Sequence, residues 1–155
     1  LELAGTAYNI EFDDFRSRNP LNAALFGPGG ASVPLQDLSG NRTRNTPDWT
    51  LQGGAEYEYE LPNGGRLTLG ASVSASDKQF FTEFQDKRLS ADSYTLVDAN
   101  IKYTTPSGKI SVNVFGKNLT DEFVVSGAFA ISTSRTIAGT YLPPRTYGFT
   151  VSYNF

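Results

Sequence analysis

Three carboxylates, Glu56, Glu58 and Glu60, stand on alternate residues of one stretch, a spacing that raises the question of paired acid–base chemistry. In an extended strand such residues point to the same side at separations of roughly 7 Å. The 155 residues contain no His and no Cys, however, so the usual nucleophile–base pairs cannot be assembled around the serines. We interpret the three glutamates as solvated wall residues, and predict no catalytic site, no enzyme activity and no cofactor.

A second acidic group consists of Asp77, Glu83, Asp86 and Asp92. Their oxygens are of the type that Ca²⁺ prefers, but they do not follow the ligand spacing of an EF-hand loop. Without His or Cys, the commonest ligands of transition metals are missing as well. We therefore predict no metal site.

The same region combines aromatic rings with cations, which suits the binding of an anionic aromatic chelate. The alternative is that the rings pack the loop down while the cations meet phosphate groups or water. The candidate ligand-binding residues are Phe80, Phe81, Phe84, Lys87 and Arg88, with Arg135 and Tyr141 joining from a later connection.

The elements that must position these residues are strands, as the end of the chain shows most clearly. Tyr147, Phe149, Val151, Tyr153 and Phe155 fall on every second position, with small or polar residues between them. A period of two is typical of a strand with one apolar and one polar face. Similar alternation predicts six strands in all, at residues 1–12, 49–61, 66–76, 94–104, 109–118 and 145–155. In the first of these, we place Ala4, Tyr8, Ile10 and Phe12 on one face.

The connections between the predicted strands alternate strictly in length. Residues 13–47, 77–92 and 121–144 form long connections, whereas residues 62–65 and 105–108 form tight turns. Membrane barrels show this asymmetry, with short periplasmic turns and long external loops. The second strand also has a suitable length, because 13 residues span about 43 Å and project to about 30 Å at a 45° tilt.

Aromatic residues cluster toward the end that carries the tight turns, where an aromatic girdle would meet a membrane interface. The residues that we assign to it are Tyr57, Tyr59, Tyr103, Tyr153 and Phe155. A soluble sandwich or lipocalin-like barrel would use the same aromatic residues as core, and alternation alone does not separate the two. The loop asymmetry and the apolar last residue favour the membrane.

Composition is compatible with this interpretation and excludes other classes. Mean hydropathy is −0.31 and no run reaches the 18 apolar residues of a spanning helix, but membrane strands expose only alternate residues to lipid. A net charge of −3 without a basic block argues against nucleic acid as a partner. The chain starts at Leu1 without a signal peptide, from which we expect a processed product or a fragment.

Several segments resemble the signature of TonB-dependent outer-membrane receptors. They are Asp37-Leu38-Ser39-Gly40-Asn41, Thr46-Pro47-Asp48-Trp49, Gly54-Ala55-Glu56-Tyr57, Lys117-Asn118-Leu119-Thr120-Asp121, Pro143-Pro144-Arg145-Thr146-Tyr147-Gly148 and Tyr153-Asn154-Phe155. The resemblance implies an all-β, antiparallel transmembrane β-barrel segment, about six strands of a larger barrel of the 22-strand type. It implies that residues 1–155 are the C-terminal portion of the barrel domain, without the plug domain.

The resemblance also implies a function and partners. The intact receptor would lie in the outer membrane of a Gram-negative bacterium and take up a scarce nutrient, a ferric siderophore or similar chelate, by TonB-energised transport. Its partners would be membrane lipid and lipopolysaccharide, the remaining strands and plug, the TonB complex through that plug, and the assembly machinery, which reads Phe155. The alternatives are a soluble β-barrel or sandwich that binds a small apolar ligand, and a passive porin or adhesin.

Overall fold

Twelve strands and one 3-10 helix form the part of the chain that the computed structural model describes, residues 1–19, 35–131 and 136–155. The strands are β1 (Glu2–Ala7), β2 (Arg16–Ser17), β3 (Gln36–Asp37), β4 (Trp49–Glu60), β5 (Arg66–Ser76), β6 (Gln79–Phe80), β7 (Ser90–Ala91), β8 (Tyr94–Thr104), β9 (Ile110–Lys117), β10 (Val125–Ile131), β11 (Thr136–Tyr141) and β12 (Thr146–Tyr153). The 3-10 helix spans Lys87–Leu89. No helix within these ranges has the length and hydropathy needed to cross a membrane.

Six of the strands form one antiparallel sheet in the order β1-β4-β5-β8-β9-β12, which confirms the predicted all-β antiparallel fold. Tight turns join β4 to β5 and β8 to β9. In the first, Gly64 has a φ of +81° and its N–H donates to the Leu61 carbonyl at 2.8 Å. A Cβ on Gly65 would lie 2.9 Å from the Tyr103 ring, so the Gly-Gly pair lets Tyr103 lean over the turn.

The register places most apolar residues of these strands on one face of the sheet, whereas Leu96 and Phe115 lie on the other. One row across it reads Tyr57, Leu69, Ile101, Val114 and Phe149, each residue directly opposite the next. Because residues opposite each other in an antiparallel pair share a face, the row is continuous from β4 to β12. The predicted period of two therefore holds through the main sheet.

The other face of the sheet is polar. The neighbouring row reads Glu58, Thr68, Lys102, Asn113 and Thr150. Adjacent residues of a strand point to opposite sides, so a one-residue slip of any strand would put its polar side chains among the apolar ones. The contrast between the two faces thus fixes the register.

No layer of described residues covers the apolar face. Leu69 is 40 % exposed, Ile101 53 % and Phe149 74 %, and these fractions are far higher than those of residues in a hydrophobic core. The buried hydrophobic residues lie instead in the connections, outside the six-stranded sheet: Leu38, Phe81, Leu89, Ala91 and Val124. Within the described ranges, the sheet thus has no hydrophobic core of its own.

The first strand differs from the sequence prediction. It ends at Ala7, and pairing with β4 places Leu3, Gly5 and Ala7 on the apolar face and Ala4 on the polar one. The prediction that Ala4 shares a strand face with Tyr8, Ile10 and Phe12 was wrong. Small residues give β1 a weak pattern, so its register is set by β4. Residues 8–15 form separate backbone hydrogen bonds to residues 38–48.

The long connections contain hairpins that the sequence did not predict. β2 pairs with β3, β6 with β7, and β10 with β11, each as a two-stranded antiparallel sheet. The three hairpins lie in the long connections, at the end opposite the tight turns. The described parts of the long connections are therefore structured. The two ends of the sheet differ in their secondary structure as well as in the length of their connections.

Asn118 closes the junction between β9 and the last loop. It is 5 % exposed and has a φ of +51°. Its Nδ2 donates to the carbonyls of Glu122 at 2.9 Å and Pro143 at 3.3 Å, while its Oδ1 accepts from the Glu122 N–H at 3.0 Å. Its own N–H donates to Asp98 Oδ1 at 2.8 Å. One side chain thus holds both ends of the loop at the point where β9 ends.

Replacing Asn118 should loosen this junction. Asn118→Gly keeps the left-handed backbone accessible but leaves the Glu122 and Pro143 carbonyls without their donor, at a cost of about 1–3 kcal/mol. We expect a lower free energy of unfolding for the intact protein, measured by denaturant titration in detergent micelles. Asn113→Gly, at a site with one side-chain bond of 3.3 Å to Asn100, is the control. Equal losses for the two variants would contradict the assigned role.

Candidate functional site

The long connections form a cluster at one end of the sheet, and specific hydrogen bonds hold it together. The Asn45 N–H donates to the Phe80 carbonyl at 2.7 Å, and Asn41 Nδ2 donates to the Glu83 carbonyl at 3.0 Å. Both bonds join residues 41–48 to the β5–β8 connection. β10 packs against β7 and the 3-10 helix, which brings the last loop to the same place.

The segments resembling the family signature build this cluster locally. Asp37 accepts from the Ser39 N–H at 3.0 Å and from Ser39 Oγ at 2.7 Å, an Asx turn that places Leu38 in the interior. These two hydrogen bonds, with the side-chain bond the larger cause, hold the pKa of Asp37 below its ordinary value of 3.8. Arg42 then pairs with Asp48 immediately before β4 begins. The turn and the ion pair fix how the first connection enters the sheet.

A carboxylate–guanidinium pair holds the β5–β8 connection in shape. Asp86 Oδ1 accepts from the Arg88 N–H at 2.9 Å and caps the 3-10 helix. The Arg88 side chain returns to the same carboxylate, Nε to Oδ1 at 3.0 Å and Nη2 to Oδ2 at 2.6 Å. The side-chain hydrogen bonds from Arg88 lower the pKa of Asp86 below 3.8. This pair, the Asp86–Arg88 latch, positions Leu89, which is 1 % exposed and accepts from the Phe81 N–H at 2.8 Å.

A cavity of about 440 Å³ opens among the connections. All three long connections line it, together with residues 41–48, so it exists only once these remote segments have come together. Its walls mix aromatic rings, cations and one carboxylate. The lining residues are Arg18, Asn19, Arg44, Phe81, Thr82, Glu83, Phe84, Leu89, Ala128, Phe129 and Ala130.

The structure brings two of the seven predicted ligand residues, Phe81 and Phe84, into this cavity. Phe80 lies under Lys78 Nζ, 5.2 Å from the ring centroid. Tyr141 packs against Phe123 with ring centroids 4.6 Å apart.

The three remaining candidates are cations. Lys87 stands exposed on the 3-10 helix, and Arg88 binds Asp86. Arg135 lies outside the described residues. The seven candidates thus do not form one cluster, and ligand contact by any of them stays a prediction.

Sequence reasoning missed Arg18, Arg44 and Phe129, which line the cavity beside Phe81 and Phe84. No local pattern marks them, because Arg18 follows the β2 hairpin strand, Arg44 precedes β4 and Phe129 belongs to a different loop. Their proximity depends on the packing of the connections. A search limited to neighbouring residues does not find such a set.

The polar face of the sheet carries the glutamates that the sequence suggested for acid–base work. Glu56, Glu58 and Glu60 are exposed along β4, and the Glu58 carboxylate lies 3.8 Å from Arg66 Nη1. Within the described ranges no group of three or more acidic, His or Cys residues is arranged to hold a metal ion. In the second acidic group, Asp86 is engaged by Arg88.

The predicted interface aromatics lie toward the end of the sheet with the tight turns. Tyr59 and Tyr103 share one row, with Leu67 between them. Tyr153 stands opposite Ile110 one step nearer that end, and its ring meets the Phe155 ring edge-on at 5.1 Å. Tyr57 lies one row further in, beside Leu69. These side chains share the apolar face.

Comparison with known proteins points to one family. Residues 1–119 match the sequence model of a family described as TonB dependent receptor-like, beta-barrel. The fold is similar to the crystal structure of BauA, the ferric preacinetobactin receptor from Acinetobacter baumannii, with 25 % sequence identity and a TM-score of 0.59. This similarity covers 76 % of the chain, which spans only 16 % of that receptor. No curated protein matches the sequence.

Removing the latch should loosen the β5–β8 connection. In Asp86→Asn the neutral amide cannot neutralise Arg88, so hydrogen exchange of residues 87–91 in the intact protein should accelerate at neutral pH. Asp92→Asn, a charge-matched change in the same connection, is the control and should leave exchange unchanged. Because the folded pKa of Asp86 is depressed, its contribution persists above pH 3.8 and is lost only as the pH falls below that value. Loosening between pH 7 and pH 5, or equal effects of the two variants, would contradict this role.

Proposed function

The chain belongs to the TonB-dependent receptor family, and from this premise we propose that it supplies part of the barrel wall and the capture loops of an outer-membrane receptor. The receptor takes up a scarce nutrient, a ferric siderophore or similar chelate, by TonB-energised transport. One observation carries the proposal: a six-stranded antiparallel sheet whose apolar face is uncovered and whose opposite face is polar. Membrane barrels place such faces toward lipid and lumen, respectively.

The dimensions of the sheet support a membrane-spanning wall. β4 has 12 residues, which extend about 40 Å and project to about 28 Å at a tilt near 45°. We orient the sheet across the membrane with its tight turns toward the periplasm and the hairpins of the long connections toward the cell exterior. Tyr57, Tyr59, Tyr103, Tyr153 and Phe155 then lie toward the periplasmic interface, while Trp49 and Tyr147 lie toward the outer one.

In the proposed receptor, other parts of the polypeptide complete the barrel of which this sheet is a part. We propose that residues 1–155 are the C-terminal portion of a barrel of the 22-strand type, with further strands pairing at the free edges of β1 and β12. The polar row of Glu58, Lys102 and Asn113 faces the plug domain, through which the TonB complex acts. Phe155, a fully exposed terminal aromatic, is the contact for the assembly machinery, and the apolar face meets lipid and lipopolysaccharide.

Ligand capture belongs to the loop cluster, because it forms the end of the sheet opposite the periplasmic turns. Phe81 and Phe84 supply aromatic walls to its cavity. BauA, a relative of similar fold, is a ferric preacinetobactin receptor, which supports an iron chelate as the class of nutrient. Lys87 and Tyr141 remain candidates for peripheral contacts with the same ligand.

The decisive test is energised uptake by the intact receptor. Expressed in a bacterial strain without its own siderophore receptors, it should restore growth on at least one member of a panel of ferric siderophores under iron limitation. Growth should disappear when the TonB gene is deleted in the same strain. Restoration that survives the deletion would identify a passive pore and contradict the proposal.

The lipid-facing assignment is tested by one charged residue on each face. Val114 is exposed on the apolar face, and Thr150 faces the polar side of the paired strand β12. Val114→Arg places a guanidinium in hydrocarbon at a cost of about 2–4 kcal/mol, whereas Thr150→Arg remains in water. We expect Val114→Arg alone to reduce the amount of folded receptor in the outer membrane, measured by heat-modifiable mobility on gels. The reverse order would place the apolar face inside the protein.

A further inference from the structure

The arginines that the structure describes fall into two groups. Of the seven arginines that the structure describes, five pair with a carboxylate: Arg16 with Asp37, Arg42 with Asp48, Arg66 with Glu58, Arg88 with Asp86 and Arg145 with Asp121. Arg18 and Arg44 have no ion-pair partner within the described ranges, and both line the cavity among the connections. Two arginines without an ion pair among the described residues therefore line one cavity.

One of the lining residues, Thr82, carries a buried hydroxyl. Thr82 Oγ1 is buried and, among the residues that the structure describes, makes no hydrogen bond. Buried polar groups are almost always paired, and each exception calls for an explanation such as a bound molecule. The orphan hydroxyl lies between Phe81 and Glu83 in sequence and lines the cavity with them. The unpaired hydroxyl is a second observation at this cavity, independent of the arginines.

The shape and walls of the cavity favour an aromatic group. An apolar cavity of about 150 Å³ holds one benzene molecule, so about 440 Å³ has room for a substituted ring. Phe84 and Phe129 approach from different connections, and aromatic faces stack with rings and tolerate their edges. Glu83 also lines the cavity, so its lining carries a formal charge of +1 from two arginines and one glutamate. A single negative charge on the bound group would balance it.

We propose that this cavity is a binding subsite for an aryl group carrying one acidic oxygen substituent, such as an aryl carboxylate or phenolate. Arg18 and Arg44 bind the anionic oxygens, and Phe84 and Phe129 hold the ring. Guanidinium forks match the two oxygens of a carboxylate better than an ammonium does, which accounts for arginine at both positions. The inference rests on the proposed function and specifies the ligand part that the loops recognise.

The binding test uses the intact receptor in detergent and three small probes observed by NMR. 4-Fluorobenzoate has both the ring and the charge, 4-fluorobenzamide has the ring alone, and a fluorinated cyclohexanecarboxylate has the charge alone. We expect fluorobenzoate to bind at least fivefold more tightly than either of the others. Failure of fluorobenzoate to bind, or equal binding of all three probes, would overturn the inference.

Matched variants assign the binding to the cavity. Arg44→Gln and Arg18→Gln should each weaken fluorobenzoate binding about tenfold, and Phe129→Ala should weaken it with a smaller loss for the cyclohexane probe. Arg16→Gln, which removes an arginine paired with Asp37 in the same connection, should leave binding unchanged. Heat-modifiable mobility verifies that each variant folds. Unchanged binding in both Arg44→Gln and Arg18→Gln would overturn the assignment.

A competition experiment separates an aryl subsite from a general anion site. Inorganic phosphate, which mimics a lipid headgroup, should not displace fluorobenzoate at equal concentration. Displacement by phosphate would overturn the aryl assignment in favour of a phosphate site. The proposed function fails separately: TonB-independent growth contradicts it whatever the probes do, whereas TonB-dependent growth with no fluorobenzoate binding overturns the subsite alone.

Discussion

An uncovered apolar face is the constraint on which the rest of this structure depends. Five strands of the main sheet carry rows such as Tyr57, Leu69 and Ile101 on one side, and nothing in the described chain packs on them. In water such a face would drive association. In hydrocarbon it needs no cover, since lipid tails are as apolar as the side chains. The proposed membrane position therefore explains the sheet by the solvent that it would face rather than by a core beneath it.

The backbone N–H and C=O groups at the two edges of the sheet make a second demand, because they need hydrogen-bond partners. The main sheet has two outer strands, β1 and β12, whose outward N–H and C=O groups have no ladder partner in the described chain. Each unpaired group in lipid costs several kcal/mol, so the outward groups of the eight-residue strand β12 alone would outweigh a typical total stability of about 5–15 kcal/mol. Further strands at both edges satisfy this demand, as in a larger barrel. The loops differ from the sheet, because their described residues include a small hydrophobic core around Phe81 and Leu89. Most of the described loop arginines are ion-paired, and the two that have no ion pair in the described ranges line a cavity.

The sequence predicted the wall well because a period of two is a direct consequence of strand geometry. The bounds of β5 and β8 match the predicted residues 66–76 and 94–104. It failed where contacts with other strands set the structure. β1 takes its register from β4, and β10 contains only one polar side chain, Ser126, so it shows little apolar–polar alternation. The site was predicted only in part for the same reason. Phe81 and Phe84 are near each other in sequence, but Arg18, Arg44 and Phe129 meet them only through packing between remote connections.

Accessibility of successive residues along β5 tests the central claim most directly. The 155 residues contain no cysteine, so single cysteines at positions 67–75 can carry a nitroxide in the intact receptor reconstituted into bilayers. The account predicts collision rates with lipid-soluble oxygen that alternate with a period of two, high at Leu67, Leu69, Ala71, Val73 and Ala75 and low at the residues between them. Low oxygen accessibility at both sets, as expected if a second protein layer covered the apolar face, would contradict it.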